Sequence, residues 1–184
     1  GWIDDPDPEK DWKKNILRIL EGCALLRQSG TPFSLILAGQ GPDARAIERK
    51  AEELGLAGCT YFTGHITDEK LLYGLYENAS LFVFPSLYDT SGMVVREAAA
   101  MEIPSVVVRG SAAAEPILDG QNGFLCDDTA ESLCTVLQKA LSEPEVTRRI
   151  GAEARKTIHL SWDSIAERAV GRYAQLIERM KRGA

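Results

Sequence analysis

Five short apolar runs, separated by segments of helical period, constrain this chain more than any other feature. The runs are FSLILAG (33–39), CTYFTG (59–64), LFVFPS (81–86), PSVVVRG (104–110) and the weaker GFLCDD (123–128). Between them lie KKNILRILEGCALLRQ, DARAIERKAEELG, DEKLLYGLYENA and GMVVREAAAME. Runs rich in β-branched and aromatic residues, nearly continuous in apolar character, suit strands covered on both faces. Their alternation with helices predicts an α/β fold built on a Rossmann-like, doubly wound parallel sheet. After Asp127 the pattern turns purely helical, with helices expected over 129–141, 144–157 and 162–181. The last carries Trp162, Ile165, Ala169, Tyr173, Leu176 and Met180 on one stripe, which suits packing either on its own sheet or on a further domain.

A chain of 184 residues is long enough for one domain with its own core. Its formal net charge of -6 leaves no broad positive field to hold nucleic acid or an anionic membrane surface. Any phosphate must therefore be held locally. The four cysteines form no C-x-x-C pair, and His65 and His159 do not stand at metal-ligand spacing. That usage argues against a zinc site and for a reduced, cytoplasmic setting. No apolar stretch approaches the roughly 20 residues of a membrane span, and no signal-peptide pattern opens the chain. The first residues, GWIDDPDP, lack an initiator Met, so a fragment of a longer protein is expected.

Ligands of open α/β sheets bind outside the carboxyl ends of the strands. That rule selects four loops: GQGPD, GHITD, SLYDTSG and RGSAAAEP. The first superficially matches a dinucleotide fingerprint, but Ala44 stands at the third glycine position and Pro42 removes a backbone donor. Gly39 and Gly41 then serve a tight turn that also lets another group approach the backbone. GHITD offers Thr67 or Asp68 as a helix cap. Glu115 reads equally as a helix-starting acid.

SLYDTSGMVVREAAAME carries more. It sets Asp89 and Glu97 eight positions apart around a helix start at Ser91-Gly92. Thr90 or Ser91 is available as a cap, yet no Glu or Gln follows at the spacing of a capping box. Open amides and the helix dipole together form an anion site. A ligand with hydroxyls at two ends and an anion between them, such as a sugar, a diphosphate and a ribose, fits Asp89, the helix start and Glu97. The alternative is electrostatic: Asp89 complements the dipole and Glu97 is a solvated helix residue. Lys14, at the start of the first long helix, reads either as a phosphate-binding point charge or as a solvated lysine.

LILAGQGP, the stretch from TGHITDEKLL to DGQNGFL, and LSWDSIAERAVGRYAQLI together resemble the C-terminal half of retaining GT-B glycosyltransferases of family 4, the group 1 glycosyl transferases. The resemblance runs from about Asp11 to Met180 and is most specific from Pro85 to Leu125. It implies residues 1–184 form a single donor-binding domain, separated here from an N-terminal domain that holds the acceptor. The E-x7-E motif of the family falls on Asp89 and Glu97, which implies that Glu97 holds the ribose and Asp89 faces the donor sugar. Ser91, Gly92, Met93 and Val94 would offer amides to the diphosphate or sugar. Lys14 matches the phosphate-binding lysine, and His65 and Ile66 lie in the loop that meets the base through its backbone.

The implied activity is metal-independent, retaining transfer of a hexosyl group from a UDP- or GDP-sugar to a glycan, lipid or other acceptor, with no cofactor. Peripheral membrane association would come through the N-terminal domain. The chain departs from the family at Asp89, one methylene short, and at Thr90 and Ser91, where glycine and an aromatic are usual. Trp2 stands where a phosphate-binding arginine is usual, and Met101-Glu102 replace a small residue and glycine. These departures support a rival reading as a non-catalytic nucleotide-sugar-binding module; a sugar-nucleotide epimerase is a third.

Overall fold

The computed structural model describes residues 15–87, 92–159 and 162–182. Five strands appear where the apolar runs place them: β1 (Leu35–Ala38), β2 (Thr60–Gly64), β3 (Phe82–Phe84), β4 (Ser105–Val108) and β5 (Phe124–Cys126). Four helices alternate with them: α1 (Ile16–Gln28), α2 (Ala44–Glu53), α3 (Glu69–Asn78) and α4 (Met93–Ala100). The helical tail follows as α5 (Ala130–Ser142), α6 (Pro144–Thr157) and α7 (Trp162–Arg182). Every strand pairing is parallel, as a doubly wound fold requires.

Local chemistry explains the boundaries. Asp68, not Thr67, caps α3, its carboxylate accepting from the Lys70 amide at 2.9 Å. Thr129 caps α5 by accepting from the Ser132 amide, while the Ser132 hydroxyl accepts from the Asp127 amide in return. Pro144 opens α6, where a missing N–H costs nothing. The glycine inside α1 has a packing reason: a Cβ on Gly22 would sit 2.9 Å from Leu133 Cδ2, so α1 and α5 press together there.

One buried cluster joins Ile19, Leu20, Cys23 and Leu26 of α1 to Leu37 of β1, Val106 and Val108 of β4 and Leu133 and Leu137 of α5. A second, of Val95, Ala99, Val107, Ala113, Ile117, Ala154 and Ile158, fills the other face of β4 between α4 and α6. β4 is therefore buried along its whole length. Each valine so buried contributes on the order of 2 kcal/mol.

Among the described residues the parallel strands lie in two ladders: β1 pairs with β2, and β3, β4 and β5 form the other. One expectation needs correction. Cover on both faces holds for β4 but fails for the first ladder, where Ile36 is 45% and Tyr61 56% exposed. Of the stripe expected on α7, Tyr173, Leu176 and Met180 are exposed. No described helix is long and apolar enough to cross a membrane.

Candidate functional site

Parallel strands put all their carboxyl ends on one side of each ladder, and side-chain and backbone hydrogen bonds draw the loops there together. The Gly39 amide donates to the Gly64 carbonyl at 2.9 Å, tying the loop after β1 to the loop after β2. Both glycines take positive φ, 147° and 66°, where a side chain is strained. Gly41 turns the chain into α2, its carbonyl accepting from the Ala44 amide at 3.2 Å. His65 is exposed and Ile66 half-buried just beyond that tie, at the mouth of the pair of loops.

Across the second ladder the organising residue is Asn15. Its side-chain amide donates to the Pro85 carbonyl at 3.3 Å and to Asp128 Oδ1 at 2.7 Å. One buried residue thereby fastens the start of α1 to the loops after β3 and β5. Arg18 adds a second tie to Asp128 at 3.2 Å. Asn15 holds φ 56°, a left-handed conformation that asparagine tolerates better than most side chains. Sequence reasoning passed over it in favour of its neighbour Lys14; the legible signal was an asparagine immediately before a helical stripe.

α4 starts at Gly92, which has φ 55° and no side-chain capping bond. A Cβ there would touch the Ala113 backbone at 3.6 Å, so the 3-10 turn Ala112–Ala114 of the loop after β4 lies against the helix start. The first amides of the helix, Met93 and Val94, precede the first intrahelical donors, since Val95 and Arg96 are the ones that bond the Gly92 carbonyl. Met93 is exposed and Val94 half-buried. Glu97 is exposed one turn further, about 6 Å along the axis from Met93. Arg96 anchors the helix by donating to the Ile158 carbonyl at 2.9 Å, which fixes the direction in which Glu97 leaves it.

Tyr76 was also missed. It packs on Phe82 with ring centroids 5.8 Å apart, so α3 leans on β3. Burial first, and the charge of Glu97 second, push its hydroxyl up to about 12. Glu115 does not begin a helix: it terminates the 3-10 turn and is exposed. At the far end of β4, Arg109 bridges Asp119 at 3.4 Å and Asp127 at 3.6 Å, lacing the loops after β4 and β5. All four cysteines are free. Burial raises Cys23 to about 12 and Cys126 to about 11, which leaves them inert thiols.

Of the residues singled out from the sequence, Gly39, Gly41, His65, Ile66, Gly92, Met93, Val94 and Glu97 all lie on the carboxyl-end loops or the first turns of α4. Lys14, Asp89, Thr90, Ser91 and Trp2 lie outside the described residues.

A family model described as glycosyl transferases group 1 matches residues 10–157. The GDP-mannose-dependent alpha-(1-6)-phosphatidylinositol dimannoside mannosyltransferase of Mycobacterium tuberculosis is 32% identical over 154 residues, which cover 84% of this chain and 39% of that protein. Among solved structures, the C-terminal domain of a glycosyl transferase group 1 family protein from Francisella tularensis matches with a TM-score of 0.72 at 20% identity, over 79% of this chain and 78% of that one. Sucrose-phosphate synthase from Thermosynechococcus elongatus matches with a TM-score of 0.73 at 25% identity, over 87% of this chain and 42% of that one. The chain thus spans about two fifths of the length of the curated relatives it matches.

Proposed function

This chain belongs to the family of glycosyl transferases group 1, as the C-terminal domain of a GT-B glycosyltransferase, and from that premise we propose that it binds the nucleotide-diphosphate sugar for a retaining, metal-independent hexosyl transfer. The observation that carries this reading is the start of α4: a glycine-led helix N-terminus without a side-chain cap, at the carboxyl end of β3, with Glu97 exposed one turn in. An anion there meets the amides of Met93 and Val94, which precede the first intrahelical donors, and the positive end of the helix dipole. The diphosphate sits at Ser91, Gly92, Met93 and Val94. Glu97 accepts from the two ribose hydroxyls, and Asp89 faces the sugar. Gly39 and Gly41 give the donor room beside the backbone, and the backbone of His65 and Ile66 meets the base.

Lys14 precedes Asn15, and Asn15 is fastened to the loops after β3 and β5. That supports a phosphate-facing role for the lysine. In the transfer, the bond from the anomeric carbon to the diphosphate oxygen breaks and its electron pair stays on that oxygen. The acceptor hydroxyl bonds the same carbon from the same face, and its proton passes to the departing phosphate. Amides of α4 and the Lys14 ammonium stabilise the charge that develops there. A glycan or lipid-linked acceptor is held by the remainder of the full-length protein, which works in the cytoplasm and touches the membrane through that remainder.

The relative named as GDP-mannose-dependent makes GDP-mannose the first donor to try. Calorimetry on the full-length protein with GDP-mannose, UDP-glucose, GDP and UDP tests the reading, and no binding of any of them at millimolar concentration sinks it. Glu97→Ala is expected to weaken the bound nucleotide about tenfold or more, the loss of charge-assisted hydrogen bonds, while the exposed position leaves thermal unfolding unchanged. Anomeric configuration of the product and activity in the presence of a chelator test retention and metal independence separately.

A further inference from the structure

α4, which carries Glu97, has only eight residues, short of the roughly 12 that a helix needs to hold itself in water. Its direction is therefore set by what grips it, and α6 grips it at two levels. Near the C-terminal end of α4, Gly151 lies against the Glu102 backbone, where a Cβ would collide with the carbonyl. Near the N-terminal end, the Arg96 guanidinium donates to the Ile158 carbonyl at 2.9 Å. Between them Val95 and Ala99 of α4 share one buried cluster with Ala154 and Ile158 of α6. Gly151 answers Glu102 and Ile158 answers Arg96, so the two helices lie side by side and antiparallel.

Ile158 closes α6, at a helix end where carbonyls lack intrahelical partners and the dipole is negative. A guanidinium suits that place on both counts. The same last turn holds a second hook. Asn122 is 2% exposed, donates from Nδ2 to the Thr157 hydroxyl at 3.0 Å and to the Pro116 carbonyl at 3.1 Å, and accepts from the Leu118 amide at 2.7 Å. It thereby ties residues 116–118 to α6. Those residues continue the loop after β4, whose turn Ala112–Ala114 lies against Gly92. The end of α6 thus fastens both elements that meet at the start of α4.

Arg96 matters most because it adjoins Glu97. Successive helical residues point about 100° apart, so Arg96 reaches across to α6 while Glu97 stays exposed. Packing of the small side chains Val95, Ala98 and Ala99 keeps α4 on the domain, but a directional bond to a fixed carbonyl sets its rotation more sharply. A carboxylate that accepts from two neighbouring hydroxyls needs both oxygens in place, and a misplacement of about 1 Å is costly. We propose that Arg96 is a positioning residue for donor binding: its bond to the end of α6 sets the rotation of α4 and so the aim of Glu97 at the ribose, while Asn122 holds the neighbouring loop to the same turn. The inference rests on the donor reading of Glu97 and adds that nucleotide affinity is governed from the last turn of α6.

A double-mutant cycle on the full-length protein, read by calorimetry with GDP and UDP, tests it. Arg96→Met is expected to weaken nucleotide binding about fivefold, and Arg96→Lys, which keeps a donor, by less than about twofold. In the Glu97→Ala background, where there is no carboxylate left to aim, Arg96→Met should cost less than about twofold more. Thermal unfolding of Arg96→Met is expected within about 4 °C of the parent. If the methionine variant does not fold, Arg96→Gln, a good helix former with a shorter reach, takes its place in the cycle. A parent protein that binds neither nucleotide at millimolar concentration overturns the donor reading and this inference with it. Where the parent binds, three results overturn this inference alone: unchanged affinity in Arg96→Met, an equal loss with and without Glu97, or a lysine variant no better than the methionine one.

Discussion

The ladder of β3, β4 and β5 and the ladder of β1 and β2 are built from equally apolar runs, yet they are packed to different degrees. Val106 and Val107 of β4 are fully buried, with α1 and α5 on one face and α4 and α6 on the other. Ile36 and Tyr61 stand half open to water on the first ladder. Apolar character therefore records the environment a strand is made for, and only a completed set of neighbours delivers it. β4, with helices against both faces, is closed to water. β1 and β2 are not.

The region around β4 should break hardest. A Cβ on Gly151 would run into the Glu102 carbonyl, with the Pro104 ring 3.0 Å away, so α6 crosses the turn after α4 at backbone contact. Gly151→Ala is expected to cost about 3 kcal/mol by overpacking, read as a lower denaturant midpoint with unchanged slope. A matched truncation sharpens the contrast between the ladders. Val106→Ala, in a site with no exposure, should cost about 2 kcal/mol through lost burial and a cavity, whereas Ile36→Ala should change stability by no more than about 0.5 kcal/mol in this chain. Equal losses at the two positions would show that β1 is already covered.

The smallest effect concerns a left-handed turn. Glu102 occupies a left-handed turn at φ 60°, a conformation that favours glycine, and its carboxylate meets Arg155 at 3.2 Å on the exposed surface. Relief of backbone strain and the added freedom of the unfolded chain oppose each other in Glu102→Gly. The exposed ion pair adds little. A change within about 1 kcal/mol, measured by thermal unfolding, is the expected balance.

Much of the candidate site was legible in the sequence for one reason. Strand ends and helix starts follow from local patterns, and the rule that ligands gather at strand carboxyl ends then picks the loops without any knowledge of packing. Gly39, His65, Gly92 and Glu97 were singled out that way, and the structure places them on those loops and on the first turns of α4. Asn15 and Tyr76 were not, because neither has a pattern of its own. Asn15 matters through partners 70 and 113 positions away, and Tyr76 through a carboxylate on another helix.

Sequence alone determined which segments are helix and which are strand, the parallel sense of their pairing, and the family to which they belong. Periodicity, capping and turn residues act over a few positions, and this chain carries each of those signals in full. Tertiary structure alone decided that the described strands part into two ladders, that α1 is pinned by a buried asparagine, that α6 touches the backbone after α4, and that Tyr173, Leu176 and Met180 of α7 face solvent. Those outcomes depend on which surfaces are present to meet one another across long separations. An apolar stripe states that a partner is wanted, and the packed molecule states which partners it has found.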